Sequence, residues 1–338
     1  MRGTCKLGVE LISRKGGESG GVWWVWFSLL AIVSGGSLAF TQESRSEIRT
    51  RFDFPSIYPE KRFQFEKGMT LNYVDRGEGP VLLFLHGLAA DHHQWNDNMP
   101  AFEGRYRLLA LDFPGHGKSS RVLGYPYGIP RFTAAVIALL DHLGIEKVSL
   151  IGNSMGGHVS LSLAYHHPKR VERLILVDSA GVDRMASWRL GLVNWVRQRD
   201  MIRLAVPSIT RGFTPLVIWQ RRDCAITREI REKIEMSRRD PQEKELFLDL
   251  LGRCLISIDQ DHFRGRLSQI EQPTLIVWGV QDLLVPVRHA WKLRRELPRS
   301  RMVLYPLVGH VPSVEVPDRF NRHVLSFLRS RESVAGRR

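Results

Sequence analysis

A serine hydroxyl attacks carbon only when something takes its proton, and the stretch Lys147 to Ala164, KVSLIGNSMGGHVSLSLA, presents one serine in a setting built for attack. Val148, Leu150 and Ile151 form a short apolar run that reads as a buried strand. Gly152-Asn153-Ser154-Met155-Gly156-Gly157 follows, and then Val159, Leu161, Leu163 and Ala164 at helical spacing. The pattern predicts a strand, a sharp turn with Ser154 at its apex, and a helix. The glycines fit a strained turn in which a Cβ two residues to either side would collide. A serine that merely caps an ordinary helix is the simpler alternative. A serine at neutral pH is a weak nucleophile, so the chemistry also demands a histidine base.

Glycine, serine and glycine at this spacing between a strand and a helix make the G-x-S-x-G nucleophile elbow, and on it the chain resembles an α/β-hydrolase of the Ser-His-Asp kind. Further stretches carry the resemblance, which spans about residues 63–328. His86-Gly87-Leu88-Ala89 ends the apolar run Val81 to Leu85, Asp112-Phe-Pro-Gly-His-Gly-Lys-Ser119 is similar to the family signature D-x-P-G-x-G-x-S, and Gly309-His310-Val-Pro312 stands near the C-terminus. The resemblance implies Ser154 as nucleophile, His310 as the base that takes its proton and returns one to the leaving group, and Asp282 as the acid that orients the imidazole. Their order along the chain is the order expected of the fold. Asp178, after the preceding strand, is the fold's alternative acid position. The oxyanion donors implied are the backbone N–H groups of Leu88 and Met155, fixed dipoles aimed at charge that appears only in the transition state. Asp112 and His116 are expected to brace loops, and Trp95 to pack beneath one. A serine at the apex disfavours dehalogenase and epoxide-hydrolase readings, which need aspartate there.

The elements that must position these residues alternate. Phe63 to Glu66 and Thr70 to Asp75 flank Gly68 and predict a hairpin of two half-solvated strands. Val81 to Leu85, Arg107 to Asp112, the elbow strand and Val171 to Val177 predict central strands, with a helix over Phe132 to Leu143 that ends at Gly144. Strands alternating with helices predict a mostly parallel central sheet with helices on both faces, the α/β-hydrolase fold. After Gly181 the rhythm breaks into helical patterns through Trp188 to Val196, Met201 to Val206, Ile226 to Met236 and Glu243 to Ile258. This predicts a helical cap inserted after the sixth strand, its apolar and Arg-rich faces suited to a lipid surface, to an acyl tunnel or simply to packing on the core. The expected division is an N-terminal segment over 1–42, a linker over 43–62, core over 63–182, cap over 183–268, core again over 269–330, and a tail over 331–338.

The N-terminal segment has no charged residue from Ser19 to Gln42 and is intensely apolar from Val22 to Val33. Residues 22–40 just reach the length of a membrane anchor, with Trp23, Trp24 and Trp26 suited to the headgroup level. A cleaved signal, cut near Ser37-Leu38-Ala39 and leaving a secreted or periplasmic protein, is the competing expectation. Lys and Arg number 49 against 35 Asp and Glu, a net charge of +14. No zinc-finger spacing, aromatic RNA-binding pattern or basic heptad accompanies it, so an anionic membrane surface fits better than nucleic acid. Three cysteines, Cys5, Cys224 and Cys254, make no disulfide framework, though Cys224 and Cys254 would be able to pair in an oxidising compartment. The histidines lack metal-ligand spacing, and no metal or cofactor is expected. The function expected is hydrolysis of a small hydrophobic carboxylic ester through an acyl-enzyme, similar to monoacylglycerol-lipase-like enzymes. A C–C hydrolase of ring-cleavage products and a non-catalytic binding protein are the alternatives.

Overall fold

The computed structural model describes residues 56–184 and 240–330 of the 338-residue chain. The apolar segment 22–40, the cap patterns from Trp188 to Met236, Cys5, Cys224 and the tail fall outside them. Eight strands form one sheet: β1 (Glu60–Glu66), β2 (Met69–Arg76), β3 (Val81–Leu85), β4 (Arg107–Leu111), β5 (Val148–Asn153), β6 (Val171–Val177), β7 (Thr274–Gly279) and β8 (Ser300–Tyr305). Their order is β1-β2-β4-β3-β5-β6-β7-β8, antiparallel between β1, β2 and β4 and parallel from β4 through β8. The chain steps from β3 outward to β4 and then back across to β5. The sheet therefore has its switch point beside the elbow, where open α/β sheets bind ligands.

The continuous apolar runs follow from burial on both faces. Along β3, Leu83 and Leu85 join one apolar cluster while Leu82 and Phe84 join the other, as the two-residue period of a strand requires. The first cluster takes in helices α1 (Ile129–His142) and α2 (Met155–His166). It also holds Leu250 and Cys254 of α3 (Pro241–Gln260) and Ala290 and Leu293 of α4 (Arg288–Glu296). The second is closed by Phe320, Val324 and Phe327 of α5 (Pro317–Arg329). Trp95 is fully buried in that second layer, against Phe84 and Phe320.

β2 departs from the half-solvated expectation. It is buried over most of its length because both of its faces are covered, Met69, Leu71 and Tyr73 by the first apolar cluster and Val74 by the second, while it pairs Tyr73 with Leu111 and Val74 with Ala110. β1 also begins at Glu60 rather than Phe63, since Glu60 to Arg62 pair with Val74 to Asn72. α1 begins at Ile129, three residues before the helical spacing becomes visible, with a proline in its first turn. Between β6 and β7 the described residues include α3, which contains the helical pattern Glu243 to Ile258. Asp240 caps it by accepting from Gln242 N–H at 2.8 Å. Cys254 on this helix is a buried free cysteine. No helix among the described residues is long and apolar enough to cross a membrane.

Candidate active site

β5 delivers Ser154 at the centre of the sheet's C-terminal edge. Ser154 has φ +54° and ψ −113°, a conformation few side chains tolerate, and sits directly before α2. The turn can be this tight only because its flanks are bare. A Cβ on Gly152 would lie 2.3 Å from Gly156 O, and one on Gly156 would lie 2.2 Å from Leu85 O. The strain is held by backbone bonds: Ser154 N–H donates to Val177 O at 2.9 Å, and Ser154 O accepts from His158 N–H and Ala180 N–H. His158 is buried with Nε2 at 3.1 Å from Asp261 O, and burial pushes its imidazole down to about 4, so it braces the helix as a neutral group.

β7 and β8 supply the other two sequence-predicted residues. His310 Nδ1–H donates to Asp282 Oδ2 at 2.7 Å, and both residues are buried. Asp282 Oδ1 accepts from the N–H groups of Leu284 and Val285 at 2.8 and 2.9 Å, so the carboxylate cannot swing away. The histidine loop lies flat on the end of β7, where a Cβ on Gly279 would meet Gly309 O at 1.9 Å. The Asp282 carboxylate, which can only accept, fixes the imidazole's tautomer with a proton on Nδ1 and leaves Nε2 available to take a proton. Among the described residues Ser154 Oγ makes no hydrogen bond; the pair is closed on the His–Asp side and open on the Ser–His side, as resting sites often are.

A bridge that sequence reasoning missed connects the parts. Asn153 Nδ2–H donates to His310 O and to Val177 O, each at 3.1 Å, and Asn153 Oδ1 accepts from Gln94 Nε2–H at 2.9 Å. Gln94 Oε1 in turn accepts from Gly87 N–H at 3.1 Å. One amide pair therefore ties the elbow, the histidine loop and the loop after β3 together. Gly87 lies against the nucleophile, where a Cβ would be 3.5 Å from Ser154 Cβ. The N–H groups of Leu88 and Met155 follow Gly87 and Ser154, and neither is donated to an acceptor among the described residues. Fixed N–H groups of this kind are available to a developing oxyanion.

Asp112 works as a brace. Its Oδ1 accepts from His92 N–H at 2.8 Å and His92 Nδ1–H at 2.9 Å, and its Oδ2 accepts from Asn72 Nδ2–H and Lys118 N–H. Burial pushes the His92 imidazole down, but the Asp112 carboxylate beside it, with Asp91 and Glu60, more than reverses this and holds it above its ordinary value. Burial likewise raises Asp112, and His92 overcomes it, holding the carboxyl below its ordinary range. His116 packs its ring on Phe113, Phe132 and His86. Among the described residues three groups bring ligand-type atoms within 4.8 Å of one another: Glu60, His92 and His93; Asp91, His92 and Asp112; Asp178, Asp282 and His310. In the second, both Asp112 oxygens are already occupied by donors.

Beside the loop after β3, α3 roofs a cavity of about 30 Å³, room for a single water, lined by Ala89, Ala90, Gly115, Tyr127, Phe247 and Leu250. Arg121 pairs with Glu243 at 2.7 Å and Gly124 N–H donates to Asp249 at 2.9 Å, pinning that helix to the segment between β4 and α1.

Comparison with known proteins agrees with this geometry. A dihydrolipoyllysine-residue acetyltransferase component of an acetoin-cleaving system from Pseudomonas putida is 33% identical over 266 residues, covering 78% of this chain and 67% of the relative. A 2-hydroxy-6-oxononadienedioate/2-hydroxy-6-oxononatrienedioate hydrolase from Comamonas testosteroni is 29% identical over 273 residues, covering 78% and 93%. Among solved structures, a membrane phospholipase A described as a bacterial virulence factor superposes with a TM-score of 0.66 at 29% identity, covering 80% of this chain and 85% of that one. The family model for the alpha/beta hydrolase fold matches residues 80–317, and the chain belongs to that family.

Proposed function

We propose that the chain is a serine hydrolase that cleaves a carboxylic ester of a hydrophobic acyl group through an acyl-enzyme. The observation that carries this reading is the 2.7 Å His310–Asp282 bond beside a serine at φ +54° on a glycine-flanked elbow. In the first step Ser154 Oγ bonds to the carbonyl carbon and its proton passes to His310 Nε2. The carbonyl oxygen becomes an oxyanion held by Leu88 N–H and Met155 N–H. Asp282 stabilises the imidazolium, which then protonates the departing alcohol as the C–O bond breaks. Water adds to the acyl-enzyme, its proton going to His310 and then to Ser154 as the acid is released.

The similarity to a membrane phospholipase A supports an acyl-lipid substrate. The apolar run over residues 22–40 supports membrane association, as does the net charge of +14. The expected division into anchor, linker, core and cap belongs to the same proposal. The similarity to a hydrolase of 2-hydroxy-6-oxononadienedioate favours a second reading, hydrolysis of a C–C bond in ring-cleavage products.

A hydrolysis screen separates the two. Acyl esters of graded chain length, including monoacylglycerols, are assayed beside vinylogous diketones, with Ser154→Ala as control. Turnover of the longer esters, absent from the variant, supports the proposal; inert esters with turnover of the diketones would replace it by the second reading. For the membrane, full-length protein that leaves a membrane pellet in carbonate without detergent would contradict anchoring.

A further inference from the structure

Asp178 ends β6 one strand away from Asp282, and the reaction as drawn does not use it. It is fully buried, at φ +44°, with its N–H donated to Val277 O at 3.0 Å. Its Oδ1 accepts from Gly279 N–H at 3.1 Å, while its Oδ2 accepts from nothing. A carboxylate oxygen of Asp178, one of Asp282 and a ring nitrogen of His310 all lie within 4.8 Å of one another. Two like charges this close in a buried site do not both ionise, and a proton on one of them allows a hydrogen bond to the other. The proton belongs on Asp178. Asp282 already receives three donors, Leu284 N–H, Val285 N–H and His310 Nδ1–H, each of which favours its ionised form. Asp178 receives only one.

We propose that Asp178 is a positioning residue of the triad, a neutral carboxylic acid whose Oδ2–H donates to Asp282 and fills the fourth lone-pair site of that carboxylate. A carboxylate offers about four such sites, so the acid that orients His310 is then held on every side. The inference rests on the reading of Ser154, His310 and Asp282 as a triad. The surroundings agree with a neutral Asp178. Burial pushes its carboxyl well up, and the charges of Asp282 and Glu315 push it further. Glu315 faces it from the helical turn Pro312–Glu315, accepting from Gly309 N–H at 2.9 Å. His289, on α4 near Asp282, is pushed down to about 4 by burial and brings no countercharge at neutral pH.

The test measures the second-order rate of Ser154 phosphonylation by a fluorophosphonate across pH, in full-length protein. Asp178→Gly removes the donor and suits the positive φ; it should slow labelling about tenfold, the loss of one hydrogen bond to a charged group. Asp178→Asn supplies an N–H in place of the O–H and should rescue most of that rate, with the acid limb of the profile where the wild type has it. A second readout has a fixed sign. The folded chain keeps a proton on Asp178 that the unfolded chain loses above about pH 3.8, so wild-type stability falls as pH rises past that value. Asp178→Asn should remove this slope and melt higher at neutral pH. An acid limb that moves to lower pH in Asp178→Asn would mean that an ionised Asp178 had been supporting the imidazolium, and overturns the proposal. An unchanged labelling rate in Asp178→Gly overturns it as well. A wild-type protein that never labels overturns the triad and this inference with it.

Discussion

His310 with Asp282 and His92 with Asp112 are both buried, and in each Nδ1–H donates to a carboxylate, at 2.7 and 2.9 Å. Each imidazole even has a serine in its neighbourhood, since His92 Nε2 stands 3.3 Å from Ser56 Oγ. What separates them is the far side of the ring. His92 Nε2 faces Glu60 at 3.5 Å as well as Ser56, so that ring sits between two carboxylates, which hold its imidazole above its ordinary value. His310 has its neighbours on the Nδ1 side, and its loop is tied to the elbow through Asn153. On the proposed reading, a His–Asp pair braces or catalyses according to what its second nitrogen meets. Ser56 lies in no glycine-flanked elbow and has no N-terminal helix end behind it.

The comparison breaks most sharply at the two serines. Ser154→Ala should lower turnover by about 10⁶-fold, the usual scale for a lost nucleophile, while Ser56→Ala should leave it unchanged. Comparable losses from both would make the pairs equivalent. Next come the acids. Asp282→Asn should cut kcat by about 10³–10⁴-fold in a protein that still folds. Asp112→Asn, which breaks the buried His92–carboxylate pair, should instead cost about 3–5 kcal/mol in chemical denaturation. A fall in kcat without loss of stability in Asp112→Asn would contradict its role as a brace.

The pH dependence of stability comes third. The raised imidazole of His92 contributes fully below its ordinary value of 6.5, and the contribution is lost as pH rises through the higher folded value. The lowered carboxyl of Asp112 contributes above its ordinary 3.8 and is lost as pH falls through the lower folded value. Calorimetry should find that His92→Gln removes the alkaline fall of the melting temperature; an unaltered fall would assign it elsewhere. The smallest effect belongs to the amide bridge. Gln94→Leu should lower kcat about tenfold, consistent with a neutral hydrogen bond or two lost from buried partners, with little change in KM.

How far the sequence disclosed this depends on whether a residue's partner is near it in the chain. The elbow was legible because its glycines answer to contacts within a few residues and to the neighbouring β3. His310 and Asp282 were legible because the resemblance assigns them to particular strand ends. The Gln94–Asn153 bridge joins residues 59 positions apart and exists only because β3 and β5 pair in parallel. Asp178 was visible as an alternative acid, yet its contact with Asp282 needs β6 beside β7, with Val177 in register with Val277. β2 read as half-solvated because its alternation says nothing about the two apolar clusters that cover both of its faces.

The central claim is that attack is confined to the elbow. Intact-mass measurement and peptide mapping after fluorophosphonate treatment test it most directly. The account predicts one phosphonyl adduct per chain, on Ser154, lost in Ser154→Ala and retained in Ser56→Ala. A folded protein that takes no adduct, or takes it on Ser56, would contradict the account.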